Sequence, residues 1–464
     1  MLESMIALLA LSTALVGSSH RLLVVAPEAF RDALAPYCAA RAKSLGTKVE
    51  FFSLDDVATS VGVDAPERIK REIFARWKRD GITDVLLVGD VDVMPVRFML
   101  LDRATKAAFD TAFYPSDLYY SDLAHADGSF DDWNGAKDEF HAKFFGEVHG
   151  ETNKQDAINF DRISYLPEIA VGRWPVSTPE AAREVAAKTL RHQAQIEAID
   201  AARSSGNDAS ASPRVAFMIS GGWIDNQSRA QALIERARSA WTVDACAYFT
   251  PEHPPTPTEM ARMFARQPSA IFHTGHGQPH RWEGCLDQSI LDQQTTSDRP
   301  PLLFSIGCST SEICTLPPYQ PYVDVDGVAH RGTVAGEVFS DYPPPPATTQ
   351  TGAHNTTSLS ERAVQMPSGG AIAVIGCVTG SQPCAQTLLD GFIEAMCAEP
   401  HQTIGSWWQF AVENYVRAER LDSLIPSESW YPPSIYFQGM KFVLLGDPTL
   451  RLKSSSESAR PIRE

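Results

Sequence analysis

At 464 residues, 44% of them hydrophobic and 21% charged, the chain has the composition of a folded protein long enough for two or three domains or one large enzyme unit. Its formal net charge of −17 sets it against a polyanionic partner, so nucleic acid is not expected. No heptad pattern, solenoid period or low-complexity tract dominates it.

The N-terminus, MLESMIALLALSTALVGSSH, carries an apolar run over residues 5–17 that ends in small residues. Residues 1–19 read either as a secretory signal cleaved near Ser18 or as a first apolar element of the fold. The first reading places the protein outside the cell or in its envelope, the second in the cytoplasm. Glu3 stands where a signal has its positive region. The run is too short to span a bilayer and no other long apolar stretch follows, so no membrane-spanning segment is expected.

HRLLVVAPEAF (20–30) predicts a buried strand and a turn, and residues 30–46 a helix stopping at Gly46. KVEFFSL (48–54) predicts a second strand, and residues 65–81 an amphipathic helix ending at Gly81. DVLLVGDVDVMP (84–95) predicts a third strand that opens into an acidic turn, with Asp90 as an ion ligand or a turn cap. Strands alternating with helices predict a parallel α/β sheet. In such sheets ligands gather beyond the carboxyl ends of the strands.

SDLYYSDLAHADGSFDDWNG then collects Asp117, Asp122, Asp127, Asp131 and Asp132 among glycine, asparagine and aromatics. Clustered carboxylates suit a structural calcium ion. The spacing is not that of an EF-hand, and the plain reading is a solvated acidic loop. PEIAVGRWPV (167–176) returns to strand. Residues 177–199 predict a helix with Ser177 or Thr178 as N-cap. AARSSGNDASASP (201–213) reads as a linker dividing an N-terminal subdomain, 20–200, from a second one, 214–452, with a polar tail over 453–464.

The second half repeats the grammar. RVAFMIS (214–220) predicts a strand entering a glycine turn, and SRAQALIERARSA a helix. SAIFHTGHG (269–277), PPLLFSIGCST (300–310) and GGAIAVIGCVTG (369–380) predict strands, and KFVLLGDPTLRL (441–452) closes the unit. Residues 317–358, with YPPPPATTQTG, show no clear period; such a length suits a lid, a processing loop or disorder, and suggests a cover cut or displaced on activation. There are eight cysteines. The even number permits disulfides, but the chain is not a cysteine-dense scaffold, no CxxC pair suggests a zinc ribbon, and the pairing stays open.

Two of these strands end in reactive side chains. IFHTGHGQPH brings His273, His276 and His280, and LLFSIGCSTSEIC brings Cys308, each beside glycine. Neighbouring parallel strands would deliver an imidazole and a thiol to one edge of the sheet. An adjacent imidazole turns a thiol into a thiolate near neutral pH. Bare glycine backbone admits a substrate carbonyl, so the N–H groups of Gly277 and Cys308 would stabilise an oxyanion. The plain reading is a small buried cysteine and a structural histidine. A third reading takes His273, His276, His280 and Cys285 as zinc ligands of a hydrolase, although their spacing suits a helix face better than a strand and turn.

Taken in order, DVLLVGDVDVMPVR, PEIAVGRWPVSTPEAAREVAAKTLRH, TGHG, GCST, GGAIAVIG and LLGDPTLRL resemble the gingipain-type cysteine peptidases, over about residues 20 to 452. The resemblance implies a caspase-like fold, an α/β/α sandwich with a parallel sheet, in two subdomains. It implies a cysteine endopeptidase acting on protein or peptide substrates through a thioester acyl-enzyme, with no cofactor required for the chemistry. On the matching positions Cys308 is the nucleophile and His276, immediately before Gly277, the general base; His273 lies within the strand, where alternation puts it on another row. The family places an acidic residue after the strand matching RVAFMIS, where this chain has SGGW. Asp225 is the nearest carboxylate and would orient His276, line a substrate pocket, or cap the next helix. That departure points to the alternative of an inactive caspase-like binding or scaffold module, against which the intact His276 and Cys308 argue.

Overall fold

The computed structural model describes residues 20–57, 63–100, 113–133, 163–204, 213–223, 225–294, 297, 299–316, 321–331, 348–352, 357–423 and 438–453. The possible signal at 1–19, most of the 201–213 linker, much of 317–358 and the tail from 454 lie outside the described residues.

Ten strands form one sheet. In chain order they are β1 (Leu22–Ala26), β2 (Glu50–Ser53), β3 (Asp84–Val88), β4 (Ala170–Trp174), β5 (Arg214–Ile219), β6 (Thr242–Ala247), β7 (Ala270–Thr274), β8 (Leu302–Ser305), β9 (Ala373–Cys377) and β10 (Phe442–Leu445). Their spatial order is β2-β1-β3-β4-β10-β9-β8-β7-β5-β6. The pairs are parallel except β9–β10, which run antiparallel from Val374 opposite Leu445 to Cys377 opposite Phe442. The continuous apolar runs read from the sequence are strands buried on both faces, as expected when helices cover both sides.

Helices α1 (Arg31–Leu45), α2 (Ala65–Asp80), α3 (Pro179–Ser204), α4 (Gln227–Arg238), α5 (Pro257–Ala265), α6 (Gln288–Asp292), α7 (Leu359–Gln365), α8 (Gln386–Ala398) and α9 (Ile404–Ala418) complete the fold. α1 and α7 pack on α3, and α4 and α9 pack on α8. In the first group Tyr37 of α1 meets Trp174 of β4 edge-on at 4.8 Å. In the second, Phe392 of α8 and Trp408 of α9 pack edge-on against Phe304 of β8 at 5.3 and 6.0 Å. Thr178 caps α3 through its Oγ1, which accepts the Ala181 N–H at 3.2 Å. The predicted linker begins inside α3, which runs on to Ser204.

The two sequence halves share the sheet. β10, from the end of the chain, lies between β4 and β9, and the Gly446 N–H donates to the Arg173 carbonyl at 2.8 Å. A Cβ on Gly172 would strike the Gly446 carbonyl oxygen, so the seam closes on bare backbone. Buried Asp447 anchors the chain just beyond it. Its carboxylate accepts the Tyr37 hydroxyl at 2.7 Å and the Thr449 N–H at 2.8 Å, and lies 3.4 Å from the Arg41 guanidinium of α1.

α7 braces the loops that follow β7 and β8. The Leu359 N–H donates to the Pro279 carbonyl at 2.7 Å, beyond β7. The Ser360 hydroxyl donates to the Thr310 carbonyl and accepts from the Ser311 hydroxyl, beyond β8. The first turn of α7 is itself held by a capping box between Ser358 and Glu361. Buried Glu361 also hydrogen-bonds Asp90, whose Oδ1 accepts the Val91 N–H at 2.8 Å and so caps its own turn. Burial and the Asp90 carboxyl beside it push Glu361 up to about 8, and burial raises Asp90 too. At neutral pH the pair therefore holds a proton between them.

Two predictions follow from these anchors. Asp447→Ala leaves the buried Arg41 charge unpaired and is expected to cost about 3–5 kcal/mol, read as a lower midpoint in chemical denaturation. Glu361 binds a proton more tightly folded than unfolded. The stability it lends is thus full below 4.5, its ordinary value, and is lost as pH rises through about 8. Glu361→Gln can still serve the capping box and bond Asp90 without ionising. The variant is expected to lose less thermal stability than the parent between about pH 5 and 9, by a few degrees; parallel melting profiles would show that no proton is shared.

Candidate active site

β7 and β8 pair in parallel from Ala270 opposite Leu302 to His273 opposite Ser305. Both strands therefore end at one edge, and the Ile306 N–H extends the ladder by donating to the His273 carbonyl at 3.1 Å. Beyond β7 the chain turns through Gly275, His276 and Gly277 into a small three-stranded sheet of Gly277–Gln278, Arg281–Trp282 and Leu286–Asp287. Beyond β8 it turns through Gly307 and Cys308. The two turns touch backbone to backbone. A Cβ on Gly277 would sit 2.7 Å from the Cys308 carbonyl oxygen, and one on Gly307 would sit 2.9 Å from the Gly277 nitrogen. Real Cβ atoms do not come so close, so glycine at both positions is what lets the two turns meet.

The Cys308 turn is tied on several sides. The Gly307 N–H donates to the Ser305 hydroxyl at 3.1 Å. The Ser309 N–H donates to the Thr379 carbonyl at 2.7 Å and the Ser311 N–H to the Cys377 carbonyl at 2.9 Å, both at the end of β9. Ser309 is left-handed, with φ of +50°, a conformation that costs a non-glycine residue about 1–2 kcal/mol and is held by those bonds. The Cys308 sulfur is half-buried; it accepts the Ser381 N–H at 3.4 Å and lies 3.6 Å from the Ser381 carbonyl oxygen. Elsewhere burial pushes the Cys285 thiol up to about 12 and Cys246 and Cys384 up to about 11, which keeps them protonated and unreactive.

His276 is exposed, and its Nε2 lies 3.3 Å from the Gly222 carbonyl in the turn after β5. A carbonyl only accepts, so Nε2 carries the hydrogen and Nδ1 keeps the free lone pair. The Trp223 ring lies 6.4 Å away. Exposed Asp225 accepts the Gly222 N–H at 2.8 Å. It therefore braces the turn that orients His276, and the helix cap falls to its neighbour: the Asn226 side chain accepts the Arg229 N–H and caps α4. A carbonyl in the imidazole's orienting position leaves no sequence signature, because any residue supplies one.

The zinc arrangement is not formed. His273 is fully buried, its Nδ1 is 2.8 Å from the Ser305 hydroxyl, and burial drives it down to about 3, so it stays neutral. His276 and His280 are exposed. Strand alternation sends His273 into the core while the glycine turn sends the other two outward. Among the described residues no group of three or more His, Cys, Asp or Glu side chains is placed to hold a metal ion.

Three carboxylates of the acidic segment, Asp117, Asp122 and Asp131, are buried. Asp117 takes two 2.7 Å bonds from buried Arg173. Asp122 accepts from Trp133 Nε1 at 3.0 Å and from the Ser164 hydroxyl at 2.9 Å. Burial drives Asp122 up and its buried neighbour Lys70 down. Asp131 accepts the Trp133 N–H, exposed Asp127 accepts from Ser129, and Asp132 is half-buried. Asp117 is thus held by Arg173, while Asp122 and Asp131 share Trp133 and face buried Lys70.

The sequence profile of peptidase family C25 matches residues 17–453. No curated protein matches the chain. Among solved structures, the Arg-specific cysteine proteinase gingipain R is 14% identical with a TM-score of 0.58, over 94% of this chain and 79% of that one. The complex of the Porphyromonas gingivalis RgpB pro- and mature domains is 14% identical with a TM-score of 0.57, over 93% and 79%. A structure described as a protease is 17% identical with a TM-score of 0.55, over 94% and 79%. These likenesses show the caspase-like fold of the gingipains.

Proposed function

Because the chain belongs to peptidase family C25 and is a cysteine-type peptidase, we propose that it cleaves peptide bonds with Cys308 as nucleophile and His276 as general base. The observation that carries this reading is the contact between the glycine turns, which sets the loop of His276 against that of Cys308 at one sheet edge. The Nε2 bond to Gly222 supports it by leaving Nδ1 to take the thiol proton. Among the described residues no helix is long and apolar enough to cross a membrane.

The cycle conserves its protons. The Cys308 thiol gives its proton to His276 Nδ1 and the thiolate attacks the scissile carbonyl carbon. The resulting oxyanion accepts N–H bonds from Gly277 and Cys308; in the antiparallel pairing, Gly277 turns its N–H away from Trp282, and its nitrogen lies beside Gly307. Collapse breaks the C–N bond, and the amine leaves with the proton from the imidazolium. A water then gives a proton to His276 and attacks the thioester. The acid departs and the thiol is restored. In this reading the Gly222 carbonyl, steadied by Asp225, does the orienting that a carboxylate does in other sites. That removes the reason for reading the missing acid as loss of activity.

Iodoacetamide labelling with peptide mapping tests the pair. At pH 7 Cys308 is expected to react about tenfold or more faster than Cys285 and Cys314, and His276→Ala to slow it by about tenfold. Cys308→Ala is expected to lower peptide hydrolysis by about a thousandfold or more. A Cys308 that labels no faster than the buried thiols and ignores His276 would remove the chemical basis of this assignment.

A further inference from the structure

His273 lies outside the chemistry just described, yet it touches both loops that carry it. Its ring stacks flat on Trp282, with centroids 4.8 Å apart and planes 8° apart. Trp282 pairs with Gly277 in the small sheet that continues the His276 turn. On its edge, Nδ1 meets the Ser305 hydroxyl at 2.8 Å. That hydroxyl accepts the Gly307 N–H at 3.1 Å, one residue before Cys308. Nε2 is buried and finds no hydrogen-bond partner among the described residues. An aliphatic side chain would fill this strand position without burying a polar nitrogen. The imidazole offers two things an aliphatic cannot: a flat face for Trp282 and one directed bond into the Cys308 turn.

We propose that His273 is a positioning residue, which through Ser305 and the Gly307 peptide holds the Cys308 turn at the distance from His276 that proton exchange requires. This rests on the assignment of Cys308 and His276 as the reacting pair. Serine at 305 suits the relay because its hydroxyl can accept the Gly307 N–H and still share a hydrogen with Nδ1. Burial keeps the ring neutral at working pH, so His273 holds its place without competing with His276 for the thiol proton.

The test is the rate of Cys308 alkylation by iodoacetamide at pH 7, read by peptide mapping in the full chain. The variants are His273→Phe, His273→Asn and Ser305→Ala, each with and without His276→Ala. His273→Phe keeps a flat ring and deletes the nitrogen. His273→Asn places an amide near the position of Nδ1. His273→Phe and Ser305→Ala are expected to slow labelling about tenfold, and His273→Asn to stay within about threefold of the parent. In the His276→Ala background each is expected to change the rate by less than about twofold, because the substitutions act through the same pair. Parent-like rates in His273→Phe and Ser305→Ala overturn the proposal. So do losses of equal size with and without His276, which mark general damage. Cys285 and Cys314 report folding by staying unlabelled. If they label in His273→Phe, Ser305→Ala decides; if they label there too, the pair merely holds the fold together and the proposal falls. A parent rate that ignores His276→Ala is a different result: it removes the reacting pair itself.

Discussion

Parallel hydrogen bonding between β7 and β8 is the contact on which the site depends. Parallel neighbours leave a sheet by the same edge, one strand spacing of about 4.8 Å apart. Antiparallel neighbours would have sent the two turns to opposite ends of the molecule. Once the strands are paired, what remains is to bring the turns from strand spacing into contact, and Gly277 and Gly307 do this by presenting no side chain. The Ser309, Ser311 and Ser360 bonds then brace loops that the ladder has already set side by side. Parallel pairing also demands a crossover. Here residues 275–301 supply it with the small sheet and α6 rather than one long helix. Trp282, the face on which His273 stacks, is part of that crossover.

The second dependence is longer in range. The strand nearest the C-terminus fills the middle of the sheet, so β4 and β9 gain their shared neighbour only when residues 442–445 arrive. Pairings so distant in sequence are slow to form, because the entropy of closing the loop precedes the contacts that offset it. Asp447 lies just past this strand and reaches α1, one of the first elements of the chain. The end of the protein is thus fastened to its beginning at the seam where its halves meet.

Much of this was readable in advance, and the reason is physical. A strand buried on both faces must be apolar throughout, so β1, β3, β7, β8 and β9 announce themselves, and the residues where apolarity stops mark the functional edge. His276 and Cys308 stand at such stops beside glycine. Other features have no local signature. The antiparallel sense of β10 depends on what lies on either side of it, and LLGDPTLRL reads the same in both directions. β6 and α5 to α7 are short enough to escape notice, whereas α8 and α9, at 13 and 15 residues, are as long as the helices that were predicted. The acidic segment left calcium ligation and a solvated loop both open, because the partners its carboxylates face, Arg173 and Lys70, lie 56 and 52 positions from Asp117 and Asp122. Asp225 left an orienting group for His276, a pocket wall and a helix cap all open; Asn226 takes the cap, and Asp225 holds the Gly222 turn. Alternation set His273 on a different row from His276, and it does lie in the core while His276 is exposed, but it gave no hint that the buried ring bonds toward the Cys308 turn.

The placement of β10 also governs what the molecule becomes if its chain is interrupted. Residues 201–213 join the halves along the sequence, yet β4, before them, is hydrogen-bonded to β10, after them. A cut there removes one peptide bond and none of the ladder. The two pieces would each present a raw central edge that only the other can cover, as the fragments of a split reporter do, and would remain a single particle. Made apart, each half would expose at its edge a strand, β4 or β10, whose neighbour is encoded in the other.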